Sequence, residues 1–337
     1  MNINSNIFKN GFSTSMDANQ IELLSKDIPV PNIDPFEPNH FYGNSHVLKY
    51  FSGVDIIQPV ERIMPHGVHL GRKRWHVEED HKIDTILCHS KIQARDYKPG
   101  KTMIPIGAPY LYASRTLNNH CSSILPKANG VIVFPAHSTT QLKVLYPEDY
   151  WFTVLGQIRP FYDITICLYW KDVQLGRHKK YLDLGYNVTT CGHMFDPLFL
   201  YRLAWLLKQQ QHAFVNELGG SVYYSAAEGL EISFFNQQLT FDGPENFKSE
   251  KTDCFDAPHA IDFFTSFSLF GNAKKQLQRK TAYEALGGAY LKSPDQLAKI
   301  LTEDIPADYQ EQRKTESGST QSGPTLSSNV LDAMDRL

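Results

Sequence analysis

The chain has 337 residues, 42% of them hydrophobic and 20% charged, with a formal net charge of −3. Its length predicts about two domains with full cores, and its composition is ordinary for a globular protein. The near-neutral charge excludes a general attraction to nucleic acid but not an anionic small ligand held by local groups. Five cysteines (Cys88, Cys121, Cys167, Cys191, Cys254) are scattered without any C-x-x-C spacing. That pattern predicts reduced thiols in a cytoplasmic protein, not a disulfide frame or a zinc site. The polar N-terminus lacks an apolar signal core. No apolar run approaches the roughly 18 residues that span a bilayer.

In chain order, residues 1–45 are weakly patterned, and the Pro-rich "PVPNIDPFEPNHF" predicts an extended surface segment. Between 54 and 115, "VDIIQPV", "DTILCHS" and "TMIPIGAPYLYA" read as strand ends feeding loops, and 116–129 reads as a linker. From 130 the pattern is regular. "GVIVFPAHS", "YDITICLYW", "YNVTTCG", "HAFVNEL" and "LEISFF" are apolar strands. They alternate with helices at "PEDYWFTVLGQI", "VQLGRHKKYLDLG", "PLFLYRLAWLLKQQQ" and the stretch from Gly220. Continuous apolar runs in a strand–helix alternation predict a parallel sheet covered on both faces, joined by right-handed crossovers. Residues 258–305 read as helices, with Ser293 and Pro294 opening the last of them. The Ser/Gly/Thr-rich tail, 306–337, has the composition of a disordered segment.

Ligands of open α/β sheets bind beyond the carboxyl ends of the strands. The loops there carry His137, Ser138 and Thr139, then Lys171, then Gly192 and His193, then Glu217, Gly219, Gly220 and Ser221. Hydroxyls, histidines, a lysine and a helix N-terminus behind glycines suit an anionic, hydroxyl-rich ligand. The helix end offers unpaired N–H groups and partial positive charge. A tight turn with a serine cap fits Gly219–Ser221 equally well. Glu217 is placed for a ribose or sugar hydroxyl, whereas Glu228 reads more simply as a solvated surface residue. For His193, ligand contact and a structural role fit alike, and Asp196 is an N-cap candidate.

In the first half, "IMPHGVHLGRKRW" puts His66 at a strand end, followed by His69, Arg72, Lys73 and Arg74. His66 is a candidate general base and the cations could meet leaving phosphate charge; a basic surface loop is the alternative. His89 and Ser90 end the next run and are expected on the same side. No D-x-D occurs, so no metal site is assigned and phosphate neutralisation is expected from cations and helix dipoles.

The segments "GVIVFPAHSTT", "ITICLYWKD", "GYNVTTCGHMFDPLFLYRL" and "FVNELGGSVYYSAAEGL", with "MPHGVHLG" and "MIPIGAPYLYA" before them, resemble bacterial surface-polysaccharide glycosyltransferases of the GT-B fold, from O-antigen and capsule clusters. The resemblance implies two Rossmann-like αβα lobes, an acceptor-side lobe at 1–115 that is short, and a nucleotide-sugar lobe at 130–257. It implies His66 as base, and His137, Ser138, Gly220 and Ser221 on the nucleotide phosphates. The implied partners are a nucleotide-sugar donor, with CMP-linked donors favoured, and a glycan or lipid-linked glycan acceptor, with neither cofactor nor nucleic acid. The implied place is the cytoplasm, with peripheral contact at the cytoplasmic face of the inner membrane left open. A nucleotide-sugar 2-epimerase of the same fold and a non-catalytic binding or scaffold protein are the alternatives.

Overall fold

The computed structural model describes residues 11–68, 74–95, 97–121, 129–245, 262–263, 265–267 and 271–303. Helix α1 (Ala18–Leu24) starts at a reciprocal capping box. Asp17 accepts from the Gln20 backbone N–H while the Gln20 side chain accepts from that of Asp17. A 3-10 segment (Glu37–Gly43) leads into α2 (Asn44–Ser52), which is bracketed by Gly43 and Gly53 in the left-handed conformation. The Pro-rich stretch expected as an extended surface segment instead buries Phe36, Pro38, Asn39 and His40. Its anchor is the Asn39 amide, which donates to the Arg62 carbonyl at 2.8 Å and accepts from the Met64 N–H at 2.7 Å.

A small parallel unit follows. Ile63 bridges to Ile86 of β1 (Thr85–Ile86), which pairs in parallel with β2 (Thr102–Met103). Two one-turn helices, α3 (His76–Glu79) and α4 (Lys91–Ala94), occupy the two connections. Next, α5 (Pro109–His120) opens with proline in its first turn, where a missing N–H costs nothing. This corrects the sequence reading at two places. Residues 109–113 are helical, and 116–120, expected in a linker, are the end of a helix whose Thr116 and Leu117 are buried.

The remaining elements are β3 (Gly130–Phe134), β4 (Lys143–Leu145), α6 (Glu148–Ile158), β5 (Asp163–Leu168), α7 (Trp170–Gln174), α8 (Arg177–Asp183), β6 (Asn187–Thr190) and α9 (Phe199–Lys208). After them come β7 (His212–Val215), α10 (Gly220–Ala227), β8 (Glu231–Phe234), β9 (Thr240–Asp242), α11 (Gly271–Ala285) and α12 (Pro294–Thr302). The five expected strands form one all-parallel sheet in the order β6-β5-β3-β7-β8. Numbered from β3, that is the 3-2-1-4-5 order of doubly wound nucleotide-binding sheets, whose switch point lies between β3 and β7. The antiparallel pair β4–β9 was not expected.

Alternation along β3 explains the layering. Val131 and Val133 join Trp151, Leu155 and Tyr181 on one face, while Ile132 joins α5, α9 and α10 on the other. That second cluster also takes in Val47, Met64, Leu87 and Ile104 from the first half. Part of the small parallel unit therefore shares a core with the large sheet, while Phe36, Ile63, Ile86 and Tyr97 form a cluster of their own. Among the described residues no helix is long and apolar enough to cross a membrane. Residues 1–10, His69, Arg72, Lys73, Cys254, most of 258–270 and the tail at 306–337 lie outside the described residues.

Candidate functional site

The switch point brings the loops after β3 and β7 into contact. Ala136 N–H donates to Asn216 Oδ1 at 2.6 Å, and Asn216 Nδ2 donates to Gln237 Oε1 at 3.2 Å. One residue further on, His137 Nδ1 lies 3.4 Å from Glu217 Oε2, which also accepts from the His137 backbone N–H at 3.4 Å. The His137 side chain is 35% exposed and that of Glu217 10%, so the imidazole is partly open to solvent above a braced base.

Beside it, α10 begins without a side-chain cap; Gly219 occupies the N-cap in extended conformation. No packing contact requires the two glycines. A Cβ at Gly219 would meet nothing within 4 Å, and one at Gly220 would only touch the Tyr224 ring at an ordinary 3.4 Å. Neither has positive φ. Room outside the helix end is what they provide, and Ser221 is half-buried beside it.

Two expected ligand groups are turned inward. Ser138 is fully buried: its N–H donates to both Asp172 oxygens at 3.2 Å, and its hydroxyl oxygen accepts from Val144 N–H at 3.2 Å. It ties the β3 loop to α7 and β4. Burial raises the Asp172 carboxyl, with Arg177 at 2.9 Å opposing that. His193 is 4% exposed; its Nδ1 accepts from Phe195 N–H at 3.2 Å, and Trp170 lies 4.2 Å away between centroids. Burial lowers its basicity, and its other nitrogen faces Asp27 at 3.7 Å. Of the two readings of His193, the geometry matches the structural one.

Three more are local braces. Thr139 Oγ1 accepts from the Gln141 and Leu142 N–H groups and closes the turn. Lys171 Nζ donates to Gln174 Oε1 at 3.1 Å from inside α7, so Lys171 lies on a helix rather than in a loop. Gly192, at φ +95°, lets the Asp196–Arg202 pair (2.7 Å) come close, since a Cβ would sit 3.0 Å from Asp196 Oδ2. Asp196 itself accepts from Leu198 N–H at 2.8 Å, just before α9.

Glu228 is neither a ribose ligand nor a solvated residue. It pairs with Lys208 at 2.7 Å and accepts from the Tyr110 hydroxyl at 2.9 Å, with only 8% of its side chain exposed. Its position at the end of α10 directs it back into the core.

His66 stands just past Ile63, at the carboxyl end of the small parallel unit. Its Nδ1 lies 3.0 Å from Glu78 Oε1, and its side chain is 29% exposed. His89 and Ser90, expected on the same side, are 2% exposed. His89 N–H donates to Gln93, and Ser90 caps α4. The two halves of the site meet through aromatic rings. Phe41 contacts His66 at 6.1 Å and Phe195 at 5.4 Å, and the rings continue through His193, Trp170 and Tyr169 to His137.

Tyr42 closes this strip, with its hydroxyl 3.3 Å from that of Tyr169. Among the described residues it is the one non-glycine with positive φ (+58°), held by its N–H donating to the Met194 carbonyl at 2.5 Å. Such a conformation costs about 1–2 kcal/mol, and strain of this kind clusters at ligand sites. Sequence reasoning missed Asn216, Tyr42, Tyr169 and Tyr224. Asn216 adjoined a residue that was found, whereas Tyr42 and Tyr224 had no loop-after-strand signal. Among the described residues no cluster of three or more His, Cys, Asp or Glu side chains could hold a metal ion. No protein-family model matches this chain, and no curated protein matches it.

Proposed function

We propose that the protein transfers a sugar from a nucleotide-activated donor to a hydroxyl of a surface glycan, as a GT-B-type glycosyltransferase. The observation that carries the reading is the convergence at the β3/β7 switch point. There the Glu217 of a braced His137–Glu217 pair stands just before an uncapped helix end behind two glycines that packing does not require. Doubly wound sheets bind nucleotides at this place, and a helix N-terminus with open glycines accepts phosphate. In the GT-B reading, the unit formed by Ile63, β1 and β2 is a much reduced acceptor-side lobe, with His66 at its carboxyl edge.

In the proposed reaction His66 takes the proton of the acceptor hydroxyl as its oxygen bonds to the anomeric carbon. The bond from that carbon to the donor phosphate oxygen breaks, and the electron pair leaves with the nucleotide phosphate. One base and one face of attack give inversion. The leaving charge is met by the α10 amides and His137. Glu217 is the group for a ribose or sugar hydroxyl. A CMP-linked donor stands first among the candidates.

Thermal unfolding against CMP, UDP, GDP and CDP tests the reading. A ligand at 100 times its Kd stabilises by about 2.7 kcal/mol, so one nucleotide should raise the melting temperature by several degrees, and His137→Ala should abolish the rise. No shift with any nucleotide would overturn the proposal. The two-residue strands of the first half favour one rival, a nucleotide-sugar-binding protein without turnover. It predicts the shift but no product from donor plus acceptor.

A further inference from the structure

Glu78 lies on the one-turn helix α3 and has no exposed side-chain surface. Burying a carboxylate is costly unless hydrogen bonds compensate. Two of them come from His66 and one from Tyr97. Oε1 accepts from the His66 backbone N–H at 3.1 Å and meets His66 Nδ1 at 3.0 Å, while Oε2 accepts from the Tyr97 hydroxyl at 2.6 Å. Tyr97 is 8% exposed; burial first, and the neighbouring carboxylate second, push its phenol far up, so it stays protonated and donating. Trp75, at 4.5 Å between centroids, and Phe41, at 6.1 Å, wall the imidazole.

We infer that Glu78, anchored by Tyr97, is the positioning residue of His66. A carboxylate on Nδ1 holds the ring proton there and makes Nε2 the basic nitrogen, because the hydrogen bond at one ring nitrogen sets the protonation of the other. When Nε2 takes a proton, the same carboxylate stabilises the imidazolium, as the third member of a base–orienter arrangement does. The phenol keeps the carboxylate from rotating away. This inference rests on the proposed role of His66 as base.

Two measurements on the full chain test it. The first is the nitrogen-15 histidine spectrum of the wild type, with the His66 signals assigned by their loss in His66→Ala. The proton on Nδ1 is expected in the neutral ring, and a proton on Nε2 would overturn the inference whether or not the protein turns over. The second is Glu78→Gln, which keeps the shape and the acceptor oxygen but removes the charge. It should lower kcat at least about tenfold with donor KM unchanged within about twofold, and Tyr97→Phe should fall between it and the wild type. Rates are counted per nucleotide-binding site, so a loss of folded protein does not imitate the effect. Unchanged kcat in Glu78→Gln would sink the inference and leave the function standing. A wild type that transfers no sugar would sink the function, and the proton position would then decide the positioning role alone.

Discussion

Removing Glu228 separates the buried pair seen in the structure from the surface residue expected from sequence. Lys208 Nζ sits 2.7 Å from its Oε2, and the two side chains are 10% and 8% exposed. The Tyr110 hydroxyl donates to Oε1 at 2.9 Å, and the Tyr110 ring stacks on Tyr224 at 4.2 Å. Glu228→Ala would leave a lysine and a phenol without their acceptor in the interior. Breaking a buried pair on one side costs about 3–5 kcal/mol, whereas an exposed pair is worth about 0–1 kcal/mol. For a chain of this size the buried case lowers the melting temperature by roughly 4–7 °C. The double substitution Glu228→Leu with Lys208→Met should recover most of that loss, because apolar replacement of both partners removes the unpaired charge. Urea and thermal unfolding of the wild type and these two variants provide the values. A loss below about 1 kcal/mol for Glu228→Ala would show that water screens the pair and refute the reasoning.

Three further outcomes follow from single positions. Gly219→Ala meets nothing within 4 Å at its Cβ, so it should cost no more than about 1 kcal/mol as a poorer N-cap, yet weaken nucleotide stabilisation; calorimetric titration of a folded variant with unaltered affinity would count against the phosphate site. Gly287→Ala would put a Cβ 1.8 Å from the His89 carbonyl oxygen at φ +67°, so chemical denaturation should show a loss of about 2–5 kcal/mol. His46 is lowered to about 4 by burial first and neighbouring positive charge second, and its Nε2 is buried without a hydrogen-bond partner. A depressed histidine means the unfolded chain binds more protons below its ordinary value, so stability falls as pH drops from about 6.5 to about 4, by up to about 3 kcal/mol. His46→Phe should flatten that part of the stability–pH curve.

How far the fold was legible depended on where its signals lie. The five strands from Gly130 to Phe234 could be read because β3 and β5 are apolar runs buried along almost their whole length, and the alternation with helices implied parallel pairing for all five. α1 and α2 were missed because their ends are set by capping and by left-handed glycines rather than by a strong apolar period. The β4–β9 pair joins Lys143–Leu145 to Thr240–Asp242, which no local pattern connects.

At the candidate site, the rule that ligands gather at strand carboxyl ends located His137 and Glu217. The same rule could not tell a loop hydroxyl facing a ligand from one facing a buried acid, and Ser138 proved to be bonded to Asp172. Glu78 and Tyr97 stand 12 and 31 residues beyond His66, on elements too short to show a period. Only the folded arrangement joins them.

The structure of the protein with CMP bound, in a crystal or by cryo-electron microscopy, bears most heavily on the proposed chemistry. Phosphate oxygens are expected at about 3 Å from the backbone N–H groups of Gly220 and Ser221, with His137 on the same phosphate and Glu217 on a ribose hydroxyl. A nucleotide lodged anywhere else, with the first turn of α10 closed by the protein's own side chains, would contradict the proposal.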